Sequence, residues 1–377
     1  MEQNNIPIKE IAKLFIKLGC IGFGGPAAHI AMMQQEVVVK RKWMNEQHFL
    51  DLLGATNLIP GPNSTEMAIH IGYDKGGWKG LIVAGICFIL PAVFITIILA
   101  WLYGKYGQLP EMEPFIYGIK PAIIAVIIGA VYPLAKKSIK STYLASIGIA
   151  VLVLSLFNIN EIYLMFGAGF LTLGLYYIKH RKINTIQSIT PLLFLQITHS
   201  SILWETNIRL FWIFLKIGAI LYGSGYVLFA FLDTELVTAG LLTRQQLVDS
   251  IAVGQFTPGP VFSSVTFIGY QINGFSGAII STIAIFLPSF FLVALLNPLI
   301  KILRKSKGFS VFLDAVNVAS VAIIIAICFN MSKEVITNWR GISIAIVSAF
   351  VVIKFRQVNS AFIVIGAVIM GYILSIT

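Results

Sequence analysis

The chain has 377 residues, of which 57% are hydrophobic and 11% charged, with a mean hydropathy of +0.87. Soluble domains carry roughly twice that charged fraction, so a water-soluble fold is excluded. The net charge of +11 lies mostly beside apolar segments and lacks interleaved aromatic residues, which fits membrane-flanking loops and argues against a nucleic-acid surface.

Apolar runs predict membrane helices over 81–103, 121–135, 143–157, 161–178, 278–296, 315–331, 338–353 and 359–376. Several approach the roughly 20 residues that a bilayer crossing needs. Runs such as Ile123–Ile128 and Val321–Ala326 are apolar all round, unlike the alternating strands of a β-barrel. The expected fold is an all-α polytopic membrane protein. The charged and polar start of Met1–Lys17 leads to no cleavage site, so no cleavable signal peptide is expected. Cys20, Cys87 and Cys328 lack metal-ligand spacing and read as buried small side chains.

Along the first half, Lys17 stands in an apolar run, where a lysine is costly unless it meets water or a partner. Anion attraction and snorkelling to the interface compete as its role. A glycine-rich break follows, Gly19-Cys20-Ile21-Gly22-Phe23-Gly24-Gly25-Pro26, with His29 just beyond it as a hydrogen-bonding or titrating group. Its spacing and setting do not match a dinucleotide fingerprint. Arg41-Lys42-Trp43 reads as a cytoplasmic interface patch. Asn57-Leu58-Ile59-Pro60-Gly61-Pro62 then predicts unwound chain, because each proline removes a backbone donor and disfavours helix before it. Non-helical backbone at membrane depth must be buried in protein or face a wet cavity. Asn63, Ser64, Thr65 and Glu66 restart the helix, offering its free N–H groups and positive dipole end to an anion. Glu66 either caps that helix or carries a coupling proton, helped by His70.

The second half repeats the pattern. Lys216 and Gly218 answer Lys17 and Gly19, and Gly218–Gly225 forms a second glycine break containing Gly223 and Gly225. Gln255-Phe256-Thr257-Pro258-Gly259-Pro260 answers the first Pro-Gly-Pro 198 residues on, followed by Ser263, Ser264 and Thr266. Asn57 and Gln255 amides, with Thr257 and the hydroxyls, complete the expected anion shell. Val265 or Thr266 falls near the place of Glu66, which therefore has no acidic counterpart. Asp51 and Asp249 match across the halves and suggest a structural or gating ion pair.

Lysines and arginines concentrate in 36–46, 75–79 and 136–140 of the first half but in 298–309 of the second. Basic loops face the cytoplasm, so this alternation predicts two halves in inverted topology. The expected organisation is a first half over 1–182, with a core at 10–135 and a helix pair at 141–178. A linker or weak crossing segment spans 183–208. The second half covers 209–377, with a core at 209–332 and a helix pair at 338–376.

No zinc-protease, Walker A or Gly-x-Ser-x-Gly motif occurs, so no enzyme, metal or cofactor is expected. Phe23–His29, Arg41–Trp43 and Leu58–Ser64 resemble the amino-terminal signature of the chromate ion transporter family. Tyr222–Val227, Gly254–Phe262 and Phe286–Phe290 resemble its second domain. Both domains are covered, which is similar to the long fused form. The resemblance implies export of chromate from the cytoplasm, chromate resistance, and a site drawing on Gly24, Gly25, Pro26, His29, Arg41, Trp43, Pro60–Pro62, Ser64, Gly223, Gly225, Gln255 and Pro258–Pro260. Tyr222 and Thr238–Leu241 depart from the family pattern, leaving a substrate other than chromate open. The residues alone reach a small oxyanion carried by alternating access between inverted halves. Sulfate or another anion in either direction, a proton-coupled solute or cation transporter, and a membrane-embedded non-transport protein remain rival readings. Membrane lipids and a homodimer complete the expected partners.

Overall fold

The structure, a computed structural model, describes residues 6–23, 25–107, 113–157, 159–179, 202–222, 227–296, 306–355 and 360–376. These residues form helices and short connections, with no strand among them. The first half contains α1 (Ile8–Ile21), α2 (Gly25–Gln34, continued as π-helix over Gln35–Lys40), α3 (Glu46–Thr56) and α4 (Asn63–Tyr106), then α5 (Glu113–Ser138), α6 (Thr142–Leu156) and α7 (Glu161–Lys179). The second contains α8 (Ile202–Ile220), α9 (Val227–Leu232, continued as π-helix over Asp233–Val237), α10 (Arg244–Phe256) and α11 (Ser264–Leu296). It ends with α12 (Lys307–Val335), α13 (Trp339–Lys354) and α14 (Ser360–Ile376). All eight apolar runs expected to cross the membrane fall on helices. Among the described residues five helices are long and apolar enough to span a bilayer, and α6 and α14 are shorter apolar helices.

The two halves copy each other down to their irregularities. Helix α4 is interrupted at Gly77 (φ 57°, ψ −148°) and α11 at Gly274 (φ 58°, ψ −150°), conformations that only glycine adopts without strain. The chain folds back there. Gly72 meets the Gly80 carbonyl and Gly269 meets the Gly277 carbonyl, although residues eight apart on a straight helix lie about 12 Å apart. Helix α4 is therefore a short arm, 63–76, and a long arm, 78–106. The short arm rises about 21 Å and α3 about 16 Å, less than the roughly 30 Å hydrocarbon layer. Together they make a helical hairpin with Pro60-Gly61-Pro62 at its tip. Helix α10 and the start of α11 make the matching hairpin.

Helix α1 packs on α4, α8 on α11, and the long helices α4 and α11 on each other. The helix pairs at the ends of the halves are exchanged. Helices α6 and α7 pack on α12 of the second half, while α13 and α14 pack on α5 of the first. Polar contacts follow the same exchange: Lys140 Nζ donates to Asp314 Oδ1 at 2.6 Å, and Tyr117 bonds Asn338. Each half is continuous in sequence but shares its helix pair with the other.

Phe94, Phe291, Phe350 and Phe362 project outward, as lipid-facing side chains do. The same outward placement explains Cys20, which is exposed rather than buried, and Cys87, which is half-buried; Cys328 is buried as expected. Residues 180–201, most of the expected linker or crossing segment, lie outside the described residues.

Candidate functional site

Each Pro-Gly-Pro tip is lodged in the opposite half. Gly61 N donates to Leu221 O at 2.8 Å, and Gly259 N donates to Gly22 O at 2.6 Å. Gly22 and Leu221 are themselves matched positions, the first residues after α1 and α8. The unwound glycine breaks thus present backbone carbonyls, and the tips supply the N–H groups that satisfy them. Gly61 has φ 134° and Gly259 φ 94°, so a β-carbon at either is strained. It would also collide: at Gly61 with the Glu66 carboxylate and Ser289, at Gly259 with Ala92. Ser289 and Ala92 again occupy matched places.

Pro60, Gly61 and Pro62 are buried, as are Thr257, Pro258, Gly259 and Pro260. Buried unwound chain is what two prolines at membrane depth require. Helix α4 restarts directly after Pro62, whereas Pro260 is followed by a 3-10 turn, Val261–Ser263, that leads into α11; neither proline gives a side-chain cap. Thr65 and Glu66 N–H groups turn back to Pro62 O, and Ser263 N–H to Pro260 O, so only the first N–H groups after each proline are left to the dipole end. Around them, Thr65 Oγ1, Gln255 Nε2, Ser263 Oγ and Ser264 Oγ are buried without a hydrogen-bond partner. Buried polar groups are rarely left so, because each costs desolvation energy. Thr65 follows the first tip, and Gln255, Ser263 and Ser264 flank the second. Ser64 is buried beside them, and Asn63 is half-buried.

One carboxylate interrupts this donor set. Glu66 is fully buried; its Oε1 accepts from Ser289 Oγ at 3.3 Å, and Oε2 has no partner. His29, also buried, places Nε2 2.9 Å from Gly22 O, with its ring edge against Phe88. It braces the carbonyl that receives the second tip. Asn57 does not join the shell. It is exposed, donates to Leu53 O at 2.9 Å, and accepts from Asn63 at 3.2 Å. Thr257 spends its hydroxyl proton on Val253 O at 2.7 Å, ending α10.

The matched lysines meet partners that the sequence reading missed. Lys17 Nζ lies 2.8 Å from Glu36 Oε1, and Lys216 Nζ lies 2.6 Å from Glu235 Oε2. Both glutamates sit on the π-helical segments, 199 residues apart like the lysines. That spacing was the available signal. The pairing departs from the expected anion attraction, since each ammonium charge is already answered. Arg41 and Lys40 also reach Glu36, at 3.4 and 3.0 Å. Arg41 stacks on Trp43 as the interface patch requires. Lys17, then Lys40 and Arg41, hold the Glu36 carboxyl down to about 2 against the opposing effect of burial. Asp249 meets two first-half residues: its Oδ2 accepts from the Tyr103 hydroxyl at 2.6 Å, and its Oδ1 lies 3.8 Å from Lys120 Nζ. Gly25 and Pro26 open α2. Gly24, Gly223 and Gly225 lie outside the described residues. No cluster able to hold a metal ion occurs among the described residues.

Two repeats of lipid-facing helices, each with an unwound tip and a restarted helix held inside the protein, define a multi-pass membrane transporter of the internal-repeat type. The family model for chromate transporters matches residues 9–173 and again 208–372, and the chain belongs to that family in its long fused form. The family consists of integral membrane transporters rather than enzymes. The chain is 30% identical to the chromate transport protein of Cupriavidus metallidurans over 97% of this chain and 93% of the other. It is 29% identical to a probable chromate transport protein of Synechococcus elongatus, over 97% of this chain and 95% of the other. The uncharacterized transporter YwrA of Bacillus subtilis is 29% identical over 41% of this chain and 89% of its own length. No solved structure matches.

Proposed function

We propose that the protein exports chromate, or a closely related small oxyanion, from the cytoplasm by alternating access. The supporting observation is the duplicated Pro-Gly-Pro tip, each copy without a side-chain cap and accompanied by buried unpaired donors, Thr65 after the first and Gln255, Ser263 and Ser264 about the second. Backbone N–H groups and neutral donors recognise an oxyanion without a fixed counter-charge, which suits a site that must release its cargo. The relatives named for chromate transport supply the choice of anion. In this reading the halves 1–182 and 209–377 lie inverted in the membrane, the basic loops 36–46 and 75–79 face the cytoplasm, and one half rocks against the other about the interlocked tips. An inside-negative potential favours export of a dianion by roughly 2.3 kcal/mol per charge per 100 mV.

The test is flux of radiolabelled chromate and sulfate in proteoliposomes under an imposed voltage, with Gln255→Ala and Ser263→Ala alongside the wild type. Voltage-driven chromate movement with affinity weakened roughly tenfold in each variant is expected, since a hydrogen bond to a charged ligand contributes about 1.5–3 kcal/mol. Absence of flux for both anions in folded protein overturns the oxyanion reading. Glu66 favours one alternative, a proton-coupled solute or cation carrier, which would lose all transport in Glu66→Gln and none in Gln255→Ala.

A further inference from the structure

Glu66, His70 and Asp74 follow one another at four-residue steps on the short arm of α4, before the interruption at Gly77. Such a spacing puts all three on one helix face, with neighbouring β-carbons about 5–6 Å apart. The row changes steadily in exposure. Glu66 is 0% and His70 1% exposed, Asp74 is 26% exposed, and His48 on α3 is 42% exposed. His48 Nε2 lies 2.9 Å from Asp74 Oδ1, so the row ends at a solvent-accessible imidazole. At its inner end, both ring nitrogens of His70 and Oε2 of Glu66 are buried without a partner.

The repeat supplies a control. Counted from Pro-Gly-Pro, the second half carries Ser264, Ile268, Ile272 and Gln246 in place of Glu66, His70, Asp74 and His48; counted from the interruptions at Gly77 and Gly274, it carries Ser263, Phe267 and Gln271 in place of the first three. The hairpin therefore folds without any of the four titratable groups. A purely structural need for them would be shared by both copies.

We propose that Glu66, His70, Asp74 and His48 form a proton-conducting row joining the buried tip of the first half to the rim that carries Lys40, Arg41, Lys42, Lys75 and Lys79. The proposal rests on the transport reading and deepens it by naming the route of a coupled proton. His48 passes its Nε2 proton to Asp74 and regains one from solvent at Nδ1. Asp74 passes a proton to the His70 imidazole, and His70 passes one to the Glu66 carboxylate. Each donor loses the proton its neighbour gains, and the sequence reverses on release. Steps of one helical turn lie within reach of a single bridging water or a rotamer change. Among the described residues, Ser289 of α11 and Tyr222 after α8 face the row near Glu66, and, from the arm itself, Lys75 Nζ lies 2.9 Å from Asp74 Oδ2. Gln47 and Asp51 flank His48 on α3. Lys75 offsets the Asp74 charge and leaves Oδ1 to the histidine.

The test follows the protonated-carboxyl infrared band of the protein in nanodiscs after a pH jump, assigned to Glu66 by its loss in Glu66→Gln. His70→Ile and His48→Gln copy the residues of the second half and so preserve the hairpin. Both are expected to slow the band roughly tenfold or more, as loss of a proton-transfer group does. A band that ignores the pH jump, or identical rates in the variants, overturns the row. In proteoliposomes holding a pH dye, under clamped voltage, chromate movement should carry protons in the wild type, with the proton signal lost in His70→Ile. Chromate movement without proton movement overturns the coupling and leaves the transport reading standing. Infrared relay kinetics as expected, without flux of chromate or sulfate, uphold the row and overturn the transport reading.

Discussion

At the scale of single residues, the matched lysines separate a structural role from a ligand-binding one. Lys17 is 47% exposed while Glu36 is 8% exposed, so removing the lysine strands a largely buried carboxylate that Lys40 and Arg41 only partly answer. Lys17→Ala is expected to lower thermal stability by about 1 kcal/mol, and the Lys17→Ala/Glu36→Gln double variant to recover most of it. If chromate affinity stays reduced in the double variant, the lysine also serves the anion. The ion pair carries a pH dependence of definite sign. The folded carboxyl of Glu36 sits at about 2, below its usual 4.5, so its stabilisation is complete above the unfolded value and disappears as pH falls from 4.5 through 2. Melting measured across that window should fall more steeply in the wild type than in Glu36→Gln. Gly61→Ala should be worse than either change. Positive φ and collision with Glu66 together predict a loss of about 1–3 kcal/mol, read as a lower melting temperature with little assembled transporter.

At the scale of elements, two devices organise the molecule. One is the hairpin tip anchored by a backbone hydrogen bond to the other half. The other is the exchanged helix pair. Gly118 on α5 lies against the backbone of Ala367 on α14, so Gly118→Leu should push that pair away and cost about 1–3 kcal/mol. The measurement is thermal stability of the purified protein. Unchanged stability would show that the α5–α14 contact is not made. The exchange could not be read from the sequence. The central runs of α5 and α12, Ile123–Ile128 and Val321–Ala326, are apolar on every side, and a helix without an amphipathic stripe does not reveal which neighbours it touches.

At the scale of the whole molecule, reciprocity predicts how the protein assembles. Each half lends a helix pair and a tip to the other, so chains 1–182 and 183–377 expressed together should co-purify as one particle, while either alone should aggregate or be degraded. Co-purification failing in membranes where the fused chain is stable would count against the exchange.

The sequence by itself determined the membrane environment, the helical class, the duplication and the two broken tips. Hydrophobic length, glycine and proline act locally, and their effect is legible residue by residue. It also carried the Lys17–Glu36 and Lys216–Glu235 pairs in its 199-residue spacing, although that signal needed both partners to be read together. Tertiary structure alone decided that Asn57 turns away from the tip, that Gln255, Ser263 and Thr65 are left unpaired inside, and that each tip lodges in the opposite half. Those outcomes depend on backbone N–H and C=O groups, which every residue but proline carries alike. No residue type records which carbonyl across the molecule a glycine amide will find.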